Sequence, residues 1–261
     1  MEVAQCSYGP STIISVLIIY GINPVLEAIK AKRAKEIWVA QRADDRLQRL
    51  LEEAAQHSVR IRYVTRDELD EAAKRGAHQG VVADVERRTE ATIEDLAQTK
   101  DGPPLIVVLD EVEDPHNVGA ILRTVDACGA TGVVRQTRRA ASLDGAAGKA
   151  SAGAVNYVPI ADVVNIARSL DELKKAGVWT VGLDAGAKMA YYEWDLTLPT
   201  AIVVGAEGHG LRRLVRERCD QVVGIPMFGH VGSLNVSVAT AVVLYEAVRQ
   251  RRNRSRGRKP E

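Results

Sequence analysis

Five short apolar runs, Leu105–Leu109, Gly132–Val134, Val178–Leu183, Ala201–Val204 and Val222–Ile225, punctuate the second half of the chain and limit its fold more narrowly than any other feature. Leu105–Leu109 has no polar residue on either face, as a strand must when helices cover both sides of a parallel sheet. Helical spacing falls between the runs. Ile121, Leu122 and Val125 share one side of a helix predicted over Val118–Cys128 and stopped by Gly129, and further helices fit Ser169–Ala176 and Leu211–Arg218. A last helix, Val236–Arg251, is apolar on most sides through its middle and is expected to be buried. This alternation predicts an α/β domain, a parallel sheet flanked by helices, over residues 105–250.

A smaller α/β module is predicted over residues 18–85. Asn23 and Pro24 read as the cap and first residue of a helix that turns Val25, Leu26 and Ile29 inward. Ile37–Val39 and Ile61–Val64 read as strands, and Leu47, Leu50 and Leu51 as the inner face of a helix from Arg46 to His57. Thr65–Glu68 fits a capping box, and Val81–Val85 closes the unit. Residues 86–104 are polar, end in Gly102-Pro103-Pro104 and read as a linker with a short helix at Ile93–Ala97. Residues 1–17 show no periodic pattern and are expected to be a non-native or disordered extension, with residues 251–261 as a basic tail.

The formal charge of +1 hides an asymmetry. The last thirteen residues hold seven basic groups and one acid, leaving 28 basic against 33 acidic in the body. Such a tail points to a polyanionic partner, and fits a solvated end equally well. One Phe, three Trp and seven Tyr give no basis for an aromatic platform on single-stranded nucleic acid. Cys6, Cys128 and Cys219 have neither paired nor metal-like spacing, which suits a reducing, cytoplasmic setting. His116, His209 and His230 match no zinc pattern, so no metal is expected. The apolar stretch Ile13–Ile19 is too short to span a membrane.

Polar groups set in apolar surroundings must find partners or serve chemistry, and three clusters have that character. Ser233, Asn235 and Ser237 alternate at the start of the apolar run Val236–Val248, after the turn-forming Ile225–Gly229. Gly205–Gly210 follows an apolar strand, but its G-x-x-G-x-G spacing is not the dinucleotide fingerprint and no Walker lysine follows. Glu207 within it either fixes nearby donors or caps the helix at Leu211. Asn117 and Arg123 lie where ligands bind in open α/β sheets, at the carboxyl ends of the strands. Arg123 suits a phosphate through its planar fork, although a lone helical arginine is more commonly a surface ion pair. His78, in Gly76–Gly80, reads as a turn residue or an RNA contact. No G-x-S-x-G elbow supports a hydrolase.

In order and spacing, Asn117–Thr124, Gly205–Gly210 and Ile225–Ala239 resemble the motifs of the SpoU (TrmH-type) RNA 2′-O-ribose methyltransferases, and Gly76–Gly80 extends the similarity into the first module. The chain from about residue 18 is similar to the bacterial 23S rRNA guanosine-2′-O-methyltransferases of that group. The resemblance implies an α/β catalytic domain whose C-terminal segment forms a trefoil knot, a feature periodicity never suggests. It also implies a small RNA-binding domain ahead of it and a homodimer with the active site at or near the interface. The cofactor would be S-adenosylmethionine, held largely by backbone near Leu183, Gly205, Gly210, Ile225, Met227 and Leu234. Functional positions would be Asn117, Arg123, Glu207, Ser233, Asn235 and Ser237. The family's assigned base falls on Arg123. A guanidinium is too weak an acid to give up its proton readily, so Arg123 is read instead as orienting phosphate and hydroxyl. Arg135–Gly148 is less like the family than its surroundings, which leaves substrate contacts there unassigned. The expected substrate is a guanosine of 23S rRNA, because tRNA enzymes of the group typically lack such a first module. The alternatives are a tRNA guanosine 2′-O-methyltransferase, an enzyme methylating a ribosomal adenosine and a non-catalytic ribosome-binding assembly factor.

Overall fold

The computed structural model describes residues 17–40, 45–86, 91–99, 102–138, 143 and 146–257. The expected N-terminal extension up to residue 16 and the last four residues of the tail lie outside them, as does most of the stretch 139–145. The chain divides into two units, Met1–Arg88 and Thr89–Glu261.

In the first unit, β1 (Leu17–Tyr20), α1 (Ile22–Lys30), β2 (Ala34–Ala40), α2 (Asp45–Gln56), β3 (Arg60–Val64), α3 (Arg66–Ala72) and β4 (Val81–Val85) build a sheet of order β1-β4-β2-β3. β4 is antiparallel to both neighbours, and β3 parallel to β2. Val25 and Ile29 of α1 and Leu47 and Leu50 of α2 pack on Ile37 and Val39, while Leu69 of α3 covers Val64 and Val82 on the opposite face. The capping box forms: Thr65 accepts from the Glu68 N–H, and the Thr65 N–H donates to Glu68 Oε2 at 2.8 Å. These bonds hold the Glu68 carboxyl below its ordinary pKa.

One local expectation is corrected and another takes its turn reading. The cap of α1 is Gly21, not Asn23, which lies with Pro24 inside the first turn. The free Ile22 N–H donates to Gln79 Oε1 at 3.1 Å, so a side chain 57 residues away does the capping. The His78 ring is buried, with Nε2 3.1 Å from Asp70 Oδ1 and Nδ1 accepting the Gly80 N–H at 3.0 Å. Both ring nitrogens are engaged in shaping the turn, in line with the reading of His78 as a turn residue.

The second unit comprises α4 (Ile93–Ala97), β5 (Leu105–Asp110), α5 (Pro115–Cys128), β6 (Gly132–Gln136), α6 (Ala146–Ala150), β7 (Ile160–Val163), α7 (Ile166–Lys175), β8 (Trp179–Leu183), β9 (Met189–Ala190), β10 (Thr200–Gly205), α8 (Arg213–Arg218), β11 (Gln221–Gly224) and α9 (Val236–Gly257). Its seven strands are all parallel, in the order β7-β6-β5-β10-β8-β11-β9. Along β5, Leu105, Val107 and Leu109 join one core layer with residues of α5 and α9, and Ile106 and Val108 join the other with residues of α4, α7 and α8. All six residues of β5 are buried, as an uninterrupted apolar run requires. A Cβ on Gly119 would overlap Ala150 and the Ala147 carbonyl, so glycine is what lets α6 lie directly on α5. From β5 the chain moves outward to β6 and β7, whereas β8, β11 and β9 lie beyond β10. Such a reversal opens a crevice at the carboxyl ends of the central strands.

The boundaries differ from expectation in three places. Within the supposed linker, Ile93 and Leu96 are buried in the core of the second unit, because the Thr92–Asp95 capping box starts a helix that presents them inward. α9 continues past Arg251 to Gly257, and Arg251 does not begin a solvated tail. Its guanidinium donates to the carbonyls of Pro103 (2.7 Å), Pro104 (3.0 Å), Leu196 (3.0 Å) and Leu198 (3.0 Å). α9 is also buried on one face only: Val243, Leu244 and Ala247 are fully inside, but Val238 and Tyr245 are 49% and 52% exposed.

Candidate active site

Loops after β8, β10 and β11 enclose a cavity of about 580 Å³ at the carboxyl ends of those strands. Its walls are Leu183–Ala185, Val204–Gly210, Ile225, Met227 and Gly232–Val236, together with Ala239. Every residue expected to hold a cofactor, namely Leu183, Gly205, Gly210, Ile225, Met227 and Leu234, lines it.

At its edge three polar side chains meet, from the first turn of α5, the glycine turn after β10 and the segment leading into α9. Asn117, in the first turn of α5, donates from Nδ2 to Glu207 Oε1 at 2.9 Å and to Asp114 Oδ2 at 3.0 Å. Asn235 donates from Nδ2 to the same Glu207 oxygen at 2.6 Å and to Asn117 Oδ1 at 3.0 Å. Helix capping explains why the amides face this way. Asp114 caps α5, accepting the His116 N–H at 3.0 Å, with Pro115 next. Asn235 Oδ1 accepts the Ser237 N–H at 3.0 Å and the Ser237 hydroxyl at 2.6 Å, so its NH2 group must turn toward Glu207. Glu207 therefore fixes donors, as one of its two sequence readings held. Its Oε2 makes no hydrogen bond among the described residues and belongs to a side chain lining the cavity.

The other predicted residues fall differently. Ser233 lines the cavity, whereas Ser237 does not and is committed to the Asn235 cap. Arg123 is exposed on α5, outside the cavity wall, and makes no hydrogen bond or ion pair among the described residues. The sequence reading missed Asp114, although Asp-Pro before a helical pattern is a cap signal. It also missed Asp184 in the cavity wall, whose carboxylate accepts from Arg216 Nε at 3.2 Å. Among the described residues no group of three or more His, Cys, Asp or Glu is placed to hold a metal. No helix among them is long and apolar enough to cross a membrane.

The profile of the SpoU rRNA Methylase family matches residues 104–245, the span that contains all three loops. The chain belongs to this family. A second profile, RNA 2′-O ribose methyltransferase substrate binding, matches residues 18–91. Among SpoU relatives, the 23S rRNA (guanosine-2′-O-)-methyltransferase RlmB of Pseudomonas syringae is 47% identical over 248 residues, covering 93% of this chain and 98% of the relative. The protein of the same name from Bordetella pertussis is 44% identical, covering 91% and 98%. The SpoU methyltransferase AviRb of Streptomyces viridochromogenes, solved in complex with AdoMet, superimposes with a TM-score of 0.75 at 26% identity over 91% of each chain. The TrmH/SpoU tRNA modifying enzyme of A. aeolicus gives a TM-score of 0.54 at 33% identity, over 65% of this chain and 85% of that one.

Proposed function

We propose that this SpoU protein transfers a methyl group from S-adenosylmethionine to the ribose 2′-hydroxyl of a guanosine in 23S rRNA. The observation that carries the reading is the Asn117–Glu207–Asn235 network at the edge of the cavity. The cavity suits the cofactor in size. It offers Leu183, Ile225 and Met227 as apolar walls, backbone of the glycine turn for polar edges, and the Glu207 carboxylate toward a sulfonium charge. S-adenosylmethionine bound there would supply an electrophilic methyl group for the ribose 2′-oxygen. The chain's part is to align the two. Asn117 and Asn235 hold Glu207 at the mouth of the cavity, Ser233 offers a hydroxyl there, and Arg123, with its planar guanidinium, holds RNA phosphate outside it.

The 23S rRNA assignment follows the relatives that match over nearly their whole length, first unit included, whereas the tRNA modifying neighbour covers only 65% of the chain. We further place the protein in the cytoplasm as a homodimer, with the apolar outer face of α9 around Val238 and Tyr245 covered by a second copy. The test is incubation with methyl-labelled S-adenosylmethionine and, separately, unmodified 23S rRNA and bulk tRNA, followed by nuclease mapping. Label at one guanosine 2′-oxygen of the rRNA is expected. Label in tRNA would replace the substrate, and cofactor binding without transfer to either RNA would count against this substrate assignment.

A further inference from the structure

The turn that carries Glu207 has little of its own to hold it in place. Gly205, Gly208 and Gly210 make up half of it, the last two at φ +82° and +66°, and glycine loses more conformational freedom on ordering than any other residue. Internally it is closed by the Gly210 N–H to Ala206 carbonyl bond at 2.9 Å. A Cβ on Gly205 would overlap the Gly210 backbone, so the turn folds directly back onto the strand end. Asp110, fully buried at the end of β5, connects this turn to the sheet, pairing in register with Gly205. Beyond the turn the chain returns to the same carboxylate. The Arg212 N–H donates to Asp110 Oδ2 at 2.9 Å and its Nε to Asp110 Oδ1 at 2.7 Å, with Nη2 2.5 Å from that oxygen. The rest of the guanidinium reaches Glu111 Oε1 at 3.3 Å and Gln136 Oε1 at 3.1 Å. Both ends of the turn are thus fastened at one buried residue. The strand that ends there leads on to α5 and Asn117, the donor to Glu207.

We propose that Arg212 is a positioning residue for methyl transfer: clamped on Asp110, it fixes the glycine turn so that Glu207 meets Asn117 and Asn235. This rests on the proposed role of Glu207 and adds to it a residue outside the cavity wall. A solvated arginine at a helix start would make none of these contacts. A merely structural one would stabilise the fold without acting through Glu207.

A double-mutant cycle on the full chain separates these roles, using Arg212→Lys, Glu207→Ala and the pair. The readouts are kcat on rRNA, S-adenosylmethionine affinity by calorimetry, and Tm. Lysine keeps a charge beside Asp110 but loses the planar fork. Arg212→Lys is expected to lower kcat about tenfold or more, a larger loss than any it causes in cofactor affinity, since small misplacements cost rate steeply. In the Glu207→Ala background it should have no further effect. A lower Tm with unchanged kcat, or two losses that simply multiply, would overturn the proposal. Full activity of Glu207→Ala would overturn it together with the site reading, and that result is recognisable from the single variant alone. Should Arg212→Lys fail to fold, Gln136→Ala leaves the Asp110 pair intact and enters the same cycle. A loss of about twofold to threefold that vanishes without Glu207 is then expected, and a loss that persists overturns the proposal.

Discussion

Asn235 performs two tasks with one amide, and they can be pulled apart by substitution. Its oxygen caps α9 and its NH2 group holds Glu207 and Asn117. Asn235→Ala removes both, and is expected to cost about 1 to 2 kcal/mol of stability through the cap. The larger effect should be on kcat, with denaturation midpoints and turnover measured on the same preparation; turnover at the wild-type rate would show the network to be structural only. Cys219 makes the opposite case, a group silenced by its surroundings. Burial pushes its thiol up to about 12, so at pH 8 the thiolate is about one part in ten thousand. Iodoacetamide should leave Cys219 unmodified in the folded protein and label it in guanidinium, as read by peptide mass; equal labelling in both states would contradict the burial. The sign for stability follows: the unfolded thiol ionises near its ordinary value of 9.0 and the folded one near 12, so this stabilising contribution fades as pH rises between the two. At this scale the sequence was informative where a polar residue sat among apolar ones, as with Asn117 and Asn235. It was silent on Arg212, because an arginine at a helix start is most often solvated and its buried partner lies 102 residues earlier.

Among elements, legibility tracked local chemistry. The apolar runs became β5, β6, β8, β10 and β11, because a strand buried on both faces leaves no alternative reading, and Thr65–Glu68 closed its box because all its partners lie within one turn. β9 was not legible, having two residues and no pattern to display. Nor was the cap of α1, supplied by Gln79, or the far end of α9, anchored by Arg251 on carbonyls more than fifty residues away in sequence. The Arg251 anchor is testable. Arg251→Ala removes the cation and leaves four carbonyls without its hydrogen bonds, which should lower stability by about 2 to 3 kcal/mol, seen as a shifted denaturant midpoint.

For the whole molecule, the proposed pairing of two copies is tested on the outer face of α9. Apolar side chains at Val238 and Tyr245, each about half exposed, lie on a helix whose inner face is already packed. Replacing both with glutamate should convert a dimer to a monomer in sedimentation velocity without unfolding it, and a wild-type monomer would refute the proposed pairing. A different consequence follows from the Arg251 clasp on Pro103 and Pro104. Those contacts join positions 148 and 147 residues apart, the start of the second unit to its last helix. During synthesis the first unit can fold as soon as it emerges. The second has every strand in hand and still lacks its clasp until residue 251 has left the ribosome, so on a translating chain the cavity wall contributed by residues 232–239 and the helix α9 assemble last.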